Sequence, residues 1–78
     1  MTEAEIKYAL TFNAHKQQDL QMIIINSFMP DDIQERAITA LAKLRVVESE
    51  LENKLRQFEI DRRVEKLEKI ERELGLND

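Results

Sequence analysis

Apolar residues in the first third of the chain recur at helical spacing. At about 100° per residue, Ile6, Leu10, Leu20, Ile24 and Phe28 fall on one stripe, which Asn13 and Gln17 interrupt midway. The run Met22 to Ile25 adds three consecutive β-branched residues that would suit a buried strand, but nothing else in the chain offers a strand to pair with. The segment therefore reads as helix. Met22, Ile23 and Ile25 then point away from the stripe, and an all-round apolar helix is a buried helix. A third helix of the same chain, or a second copy of it, would have to cover them.

A second pattern follows Pro30. Ile33, Ala37, Leu41, Leu44, Leu51, Leu55 and Phe58 are spaced by three, four and seven, as a coiled-coil-like seam requires. Beyond Phe58 the phase changes. Ile60, Val64, Leu67, Ile70 and Leu74 form their own stripe, centred about 140° round the helix from the first. A helix continuous from 31 to 74 would run about 65 Å, whereas a first helix from 3 to 28 covers about 39 Å, so the last turns would overhang. Either the chain bends near Glu59-Ile60-Asp61 or the overhang meets a partner.

The boundaries carry recognisable signals. Pro30 suits the first position of a helix, with Asp31 and Asp32 at the positive end of its dipole. Asp31 and Gln34 equally fit a capping box that would make Asp31 the N-cap. Leu74-Gly75-Leu76 reads as a C-cap, with Gly75 in the left-handed conformation and Leu76 folding back toward Ile70. Glu50 with Lys54, Glu52 with Arg56, Glu59 with Arg63, Glu65 with Lys69 and Glu68 with Arg72 are acid-to-base pairs at i to i+4, each contributing about 0.2–0.5 kcal/mol to helix stability.

These patterns predict an all-α fold: a helical hairpin whose long second helix continues into a coiled-coil-like C-terminal segment, assembled as an oligomer. The alternative is a three-helix bundle with a bend near residue 60. Residues 1–78 form a single small helical domain, divided into a first helix (1–29), the core part of the second (30–58) and a charged amphipathic extension (59–76). Asn13, Gln17 and Glu48 are the candidates for a buried polar residue that fixes a register, and an exposed position suits all three equally well.

Composition narrows the function. The chain has 78 residues, 42% hydrophobic and 36% charged, with one glycine, one proline and no cysteine. A domain this small is near the limit for a self-sufficient core. The absence of cysteine excludes disulfides and thiolate metal sites, and a single histidine leaves few nitrogen ligands, so neither a metal nor another cofactor is expected. The reading is of an unexported cytoplasmic protein: no apolar run approaches the roughly 20 residues of a membrane span, and MTEAEIK lacks a basic signal-peptide start.

Tyr8, Phe12, His15, Asp19 and Met22 share one flank of the first helix, and His15 and Asp19 are spaced to share a hydrogen bond. Catalysis is not expected there, because nucleophile, oxyanion site and glycine-rich turn are all missing. A surface His–Asp pair beside a half-buried Tyr and Phe is the simpler account. Tyr8, Phe12, His15 and Lys16 are nevertheless the contacts for a small anionic or aromatic ligand, if one binds. Arg62, Arg63, Lys66, Lys69 and Arg72 suggest a phosphate-gripping helix, but residues 57 to 78 hold five bases against seven acids and the net charge is −4. That balance opposes direct nucleic-acid binding and membrane-surface binding, and favours a solvated, ion-paired face.

The order Phe12, His15, Lys16, a helix, Pro30, and a second helix carrying Ala40-Leu41-Ala42-Lys43-Leu44 resembles the helical-hairpin phage proteins that sequester cyclic dinucleotides. The resemblance covers about half the chain and implies a nucleotide-signal sponge with sites between subunits. It departs at Val47 to Leu51, where that family has aromatic and asparagine positions, and the extension after Arg56 has no counterpart in it. The favoured function is a non-enzymatic protein–protein interaction module, a small regulatory, inhibitor or assembly protein, phage-encoded among the options. It would self-associate, as a dimer first of all, and bind another protein. Its interface residues would be Met22, Ile23, Ile25, Phe58, Ile60, Val64, Leu67, Ile70 and Leu74. The ligand sponge is the alternative, and an acidic nucleic-acid mimic a further one.

Overall fold

The computed structural model describes residues 1–76 and contains two helices, α1 (Glu3–Ile25) and α2 (Asp31–Glu73), with no strand among the described residues. Side-chain links join Ile24 to Gln34, Asn13 to Leu44 and Glu3 to Arg62. As the α1 number falls the α2 number rises, so the helices run antiparallel.

Helix α1 starts where Thr2 caps it. The Thr2 hydroxyl accepts from the Glu5 N–H at 3.2 Å and donates to the Glu5 carboxylate at 3.1 Å. This is a variant of the capping box, legible in Thr2-Glu3-Ala4-Glu5. The helix stops at Ile25 because Asn26 turns the chain: its side-chain oxygen accepts from the Phe28 N–H at 3.0 Å and its carbonyl from the Met29 N–H at 3.1 Å. Phe28 consequently leaves the helical track. It is 95% exposed, not part of the buried stripe that its spacing predicts.

Pro30 is the N-cap of α2, one residue outside the helix, and no side chain caps that end. The capping box expected between Asp31 and Gln34 does not form. Gln34 instead donates from Nε2 to the carbonyls of Ile24 (3.2 Å) and Asn26 (2.8 Å), satisfying acceptors that the end of α1 leaves open. One glutamine thereby ties the start of α2 to the end of α1. At the far end Gly75 has φ +69°, the Gly75 N–H reaches the Arg72 carbonyl and the Leu76 N–H reaches that of Glu71. These two bonds make the Schellman motif that Leu74-Gly75-Leu76 predicts.

The predicted α2 seam packs on α1 as one line. Ala37, Leu41 and Leu51 are buried, and Ile33, Leu44, Leu55 and Phe58 are half-buried. From α1 come Ile6, only 1% exposed, and half-buried Leu10, Leu20 and Ile24. Helix α2 is a single element of 43 residues, which excludes the three-helix bundle with a bend near residue 60. Its ideal length, about 65 Å, accounts for the 68 Å long axis of the molecule, whose other dimensions are 18 and 16 Å.

Candidate interaction surfaces

The residues that the sequence assigns to an interface or to a ligand contact separate into three surface places, apart from Ile23 and Phe58, which lie between the helices. Ile60, Val64, Leu67 and Ile70 lie on the last third of α2 and Leu74 is its C-cap, each 43–65% exposed. Helix α1 begins only at Glu3, which is joined to Arg62, so α2 continues beyond it for 11 residues, about 16 Å. From residue 63 to 73 only Glu71 is even half-buried.

Met22 and Ile25 are exposed near the turn, together with Phe28. Ile23 is half-buried instead, beside Leu20, Ile33, Arg36 and Ala37 at the inter-helix groove. Phe58 is half-buried beside Ile6 and belongs to the intrachain seam. The turn and the overhang sit at opposite ends of the rod. Ile33 and Leu67, one near each end, are about 50 Å apart along α2.

Tyr8, Phe12, His15 and Lys16 form the third place. With Thr11 and Asp19 they line one shallow depression on α1, and the Lys16 ammonium lies 5.3 Å from the Phe12 ring centroid. Tyr8 is 75% and Phe12 55% exposed, more open than the half-buried pair expected, because this flank faces away from α2. His15 and Asp19 do not form the hydrogen bond that their spacing permits: the histidine has no hydrogen-bond partner among the described residues. The arrangement can stack an aromatic group against Phe12 and Tyr8 and offer it a cation. Among the described residues no second element closes over it. No group of three or more metal-ligating side chains occurs among the described residues.

Between the helices lies a polar network. Asn13 is only 4% exposed and donates from Nδ2 to the Leu44 carbonyl at 3.0 Å. Gln17 donates from Nε2 to Asn13 Oδ1 at 2.5 Å and to Glu48 Oε2 at 3.0 Å. Glu48 occupies the gap between Leu44 and Leu51 in the α2 seam, opposite the gap that Asn13 and Gln17 make in the α1 stripe. Two interruptions in separate apolar patterns are thus one contact, and no side-chain polar atom buried there lacks a partner.

The seam ends in charge. Arg62 follows Phe58 by four residues and donates from a terminal guanidinium nitrogen to Glu3 Oε1 at 2.6 Å, while Lys7 reaches the same carboxylate at 3.5 Å. The sequence reading missed this pair, although the spacing of Leu55, Phe58 and Arg62 continues the seam. None of the acid-to-base pairs predicted along the second half of α2 closes to an ion pair; the Arg72 guanidinium instead reaches the Glu68 backbone carbonyl at 3.4 Å. These side chains are long and solvated, and fixing two of them costs about what the contact returns.

The hydrogen bond from Arg62 holds the Glu3 carboxyl below its ordinary pKa, with the charges of Arg62 and Lys7 acting the same way and desolvation opposing them. The folded chain therefore binds this proton less readily than the unfolded chain. The pair's small stabilisation is present above the ordinary carboxylate range and is lost as the pH falls through the lowered pKa. Arg62→Ala should flatten that part of the acid limb in urea melts recorded from neutral pH downward, and an unchanged limb would show that Glu3 gains nothing from the pair.

No helix among the described residues is long and apolar enough to cross a membrane. Compared with protein-family models, with curated proteins and with solved structures, the chain matches none of them.

Proposed function

We propose that this protein is a non-enzymatic interaction module that works as a self-associated helical rod, with the overhang of α2 as its self-association segment. The observation that carries the reading is the stripe Ile60, Val64, Leu67, Ile70 and Leu74, each 43–65% exposed, which begins beside the start of α1 and continues from Val64 onward where α1 does not reach. Aliphatic side chains spaced every three to four residues on a solvated helix are the pattern of a helix–helix seam, and burying them removes apolar area from water. Such an assembly leaves the Tyr8, Phe12, His15 and Lys16 face of α1 uncovered. That face and the turn residues Met22, Ile25 and Phe28 are then the surfaces offered to another protein, in a regulatory, inhibitory or assembly role in the cytoplasm.

Light scattering at two protein concentrations tests the reading. A molar mass of two or more chains is expected, rising toward its limit with concentration. A single-chain mass at both concentrations would overturn self-association.

A further inference from the structure

We infer that the overhang pairs with the same segment of a second copy in parallel, the two α2 helices pointing the same way, and that the charges flanking the seam set this orientation. The inference rests on the self-association proposed above and adds the partner's direction and register.

In a heptad frame Ile60, Leu67 and Leu74 occupy d positions, and Gln57, Val64 and Glu71 occupy a positions. The flanking g positions are Arg56, Arg63 and Ile70, and the e positions are Asp61, Glu68 and Gly75. A parallel pair sets each g residue against the e residue five positions later on its partner. Arg56 then meets Asp61, and Arg63 meets Glu68, on both sides of the seam. In an antiparallel pair Val64 packs on Leu67, which sets Asp61 against Glu68, acid on acid, and Ile60 against Glu71. The parallel arrangement keeps Ile60, Val64 and Leu67 in three apolar layers and leaves Glu71 toward the free end, where the helices can part.

The hairpin leaves these groups available. Arg56, Arg63 and Glu68 have no ion-pair partner among the described residues, and Asp61 accepts one hydrogen bond, from Gln57 at 2.9 Å. The seam is centred about 140° round α2 from the face that holds α1, and only its first turn, at Gln57 and Asp61, borders the depression shared with Met1 and Ile6. Toward the turn the same frame places Asn53 at d and Glu50 at a. The apolar seam therefore stops near Gln57.

The chain contains no cysteine, so single cysteine substitutions report orientation without background. In the full chain under mild oxidation, Ile60→Cys alone should give a covalent dimer, because like d positions face each other in a parallel pair at a separation a disulfide can bridge. Cross-linking confined to a mixture of Ile60→Cys and Glu71→Cys chains would overturn the parallel pairing in favour of the antiparallel one and leave self-association standing. Sedimentation equilibrium reads the charges. Arg63→Glu should raise the dissociation constant roughly tenfold, and Arg63→Glu combined with Glu68→Arg should return it to within about threefold of the parent. A dimer that forms no cross-link at either position and is indifferent to Leu67→Asp would overturn the seam itself, and a monomer at all concentrations would overturn both proposals. Circular dichroism of each variant separates loss of association from loss of helix.

Discussion

Replacing Ile6 by alanine should lower the stability of the hairpin by about 2–4 kcal/mol, the cost of removing a fully buried branched side chain from a site that cannot collapse around the gap. Among the described residues Ile6 is the single large side chain with almost no exposure, and it lies beside Phe58 where the N-terminal part of α1 meets α2. A domain of this size has roughly 4–12 kcal/mol in total, so one substitution removes a large share of it. The melting temperature should fall by roughly 10–25 °C. Tyr8→Ala is the control on the same helix: it removes a larger side chain that is mostly in water, and should change stability by about 0.5 kcal/mol or less. Both belong at one fixed protein concentration, since association would couple to unfolding. Equal losses for the two variants would mean that α1 packs on α2 through a different face.

The second large effect is expected in the polar network. Asn13→Ala removes the donor to the Leu44 carbonyl and the acceptor for Gln17, and should cost about 1–3 kcal/mol in urea unfolding. Replacing Asn13, Gln17 and Glu48 together by leucine should have the opposite sign, leaving stability unchanged or raising it by about 1–4 kcal/mol, because a buried apolar contact of similar volume usually matches or exceeds a polar one. The network's value would then lie in register: with leucine throughout, one turn of α1 can slide along α2 without leaving a polar group unpaired. Amide spectra of the triple variant should show broadened or doubled signals along α1. A loss of stability in the triple variant would instead make the network a net source of stability in this hairpin.

The network also shows where sequence legibility ends. Asn13 and Gln17 are visible as a break in one apolar stripe and Glu48 as a gap in another, but a break in a stripe looks the same whether the polar side chain is solvated or paired. Only the docking of two helices at one height decides between them. Gln34 makes the same point. Its spacing from Asp31 matches a capping box, yet the carbonyls of Ile24 and Asn26 at the end of the neighbouring helix are the acceptors it reaches. Local rules rank the local partner first because they contain no information about groups brought close by the turn.

The charged pairs of α2 fail for a different reason. Spacing at i to i+4 states that two side chains can meet, and in water the entropy of two long side chains is enough to keep them apart. Glu3 and Arg62 meet across 59 positions of sequence because the hairpin brings them to the root of the overhang. Phe28 fits the stripe by arithmetic and leaves it because Asn26 ends the helix three residues after Ile23.

Periodicity and chain-local chemistry were enough for the outline: two helices, their division at Pro30, the apolar line from Ile33 to Phe58, the change of phase at Ile60, and the Gly75 stop. These follow from side-chain spacing on a helix and from the few residues able to adopt special backbone conformations. The docking of the two helices settles the rest: which polar residues are paired, where α1 ends along α2, and hence which apolar residues are left in water. Ile60 to Leu74 repeat as regularly as Ile33 to Phe58, and what separates an interior seam from an exposed one is that α1 packs on the other face of α2 and stops near Arg62.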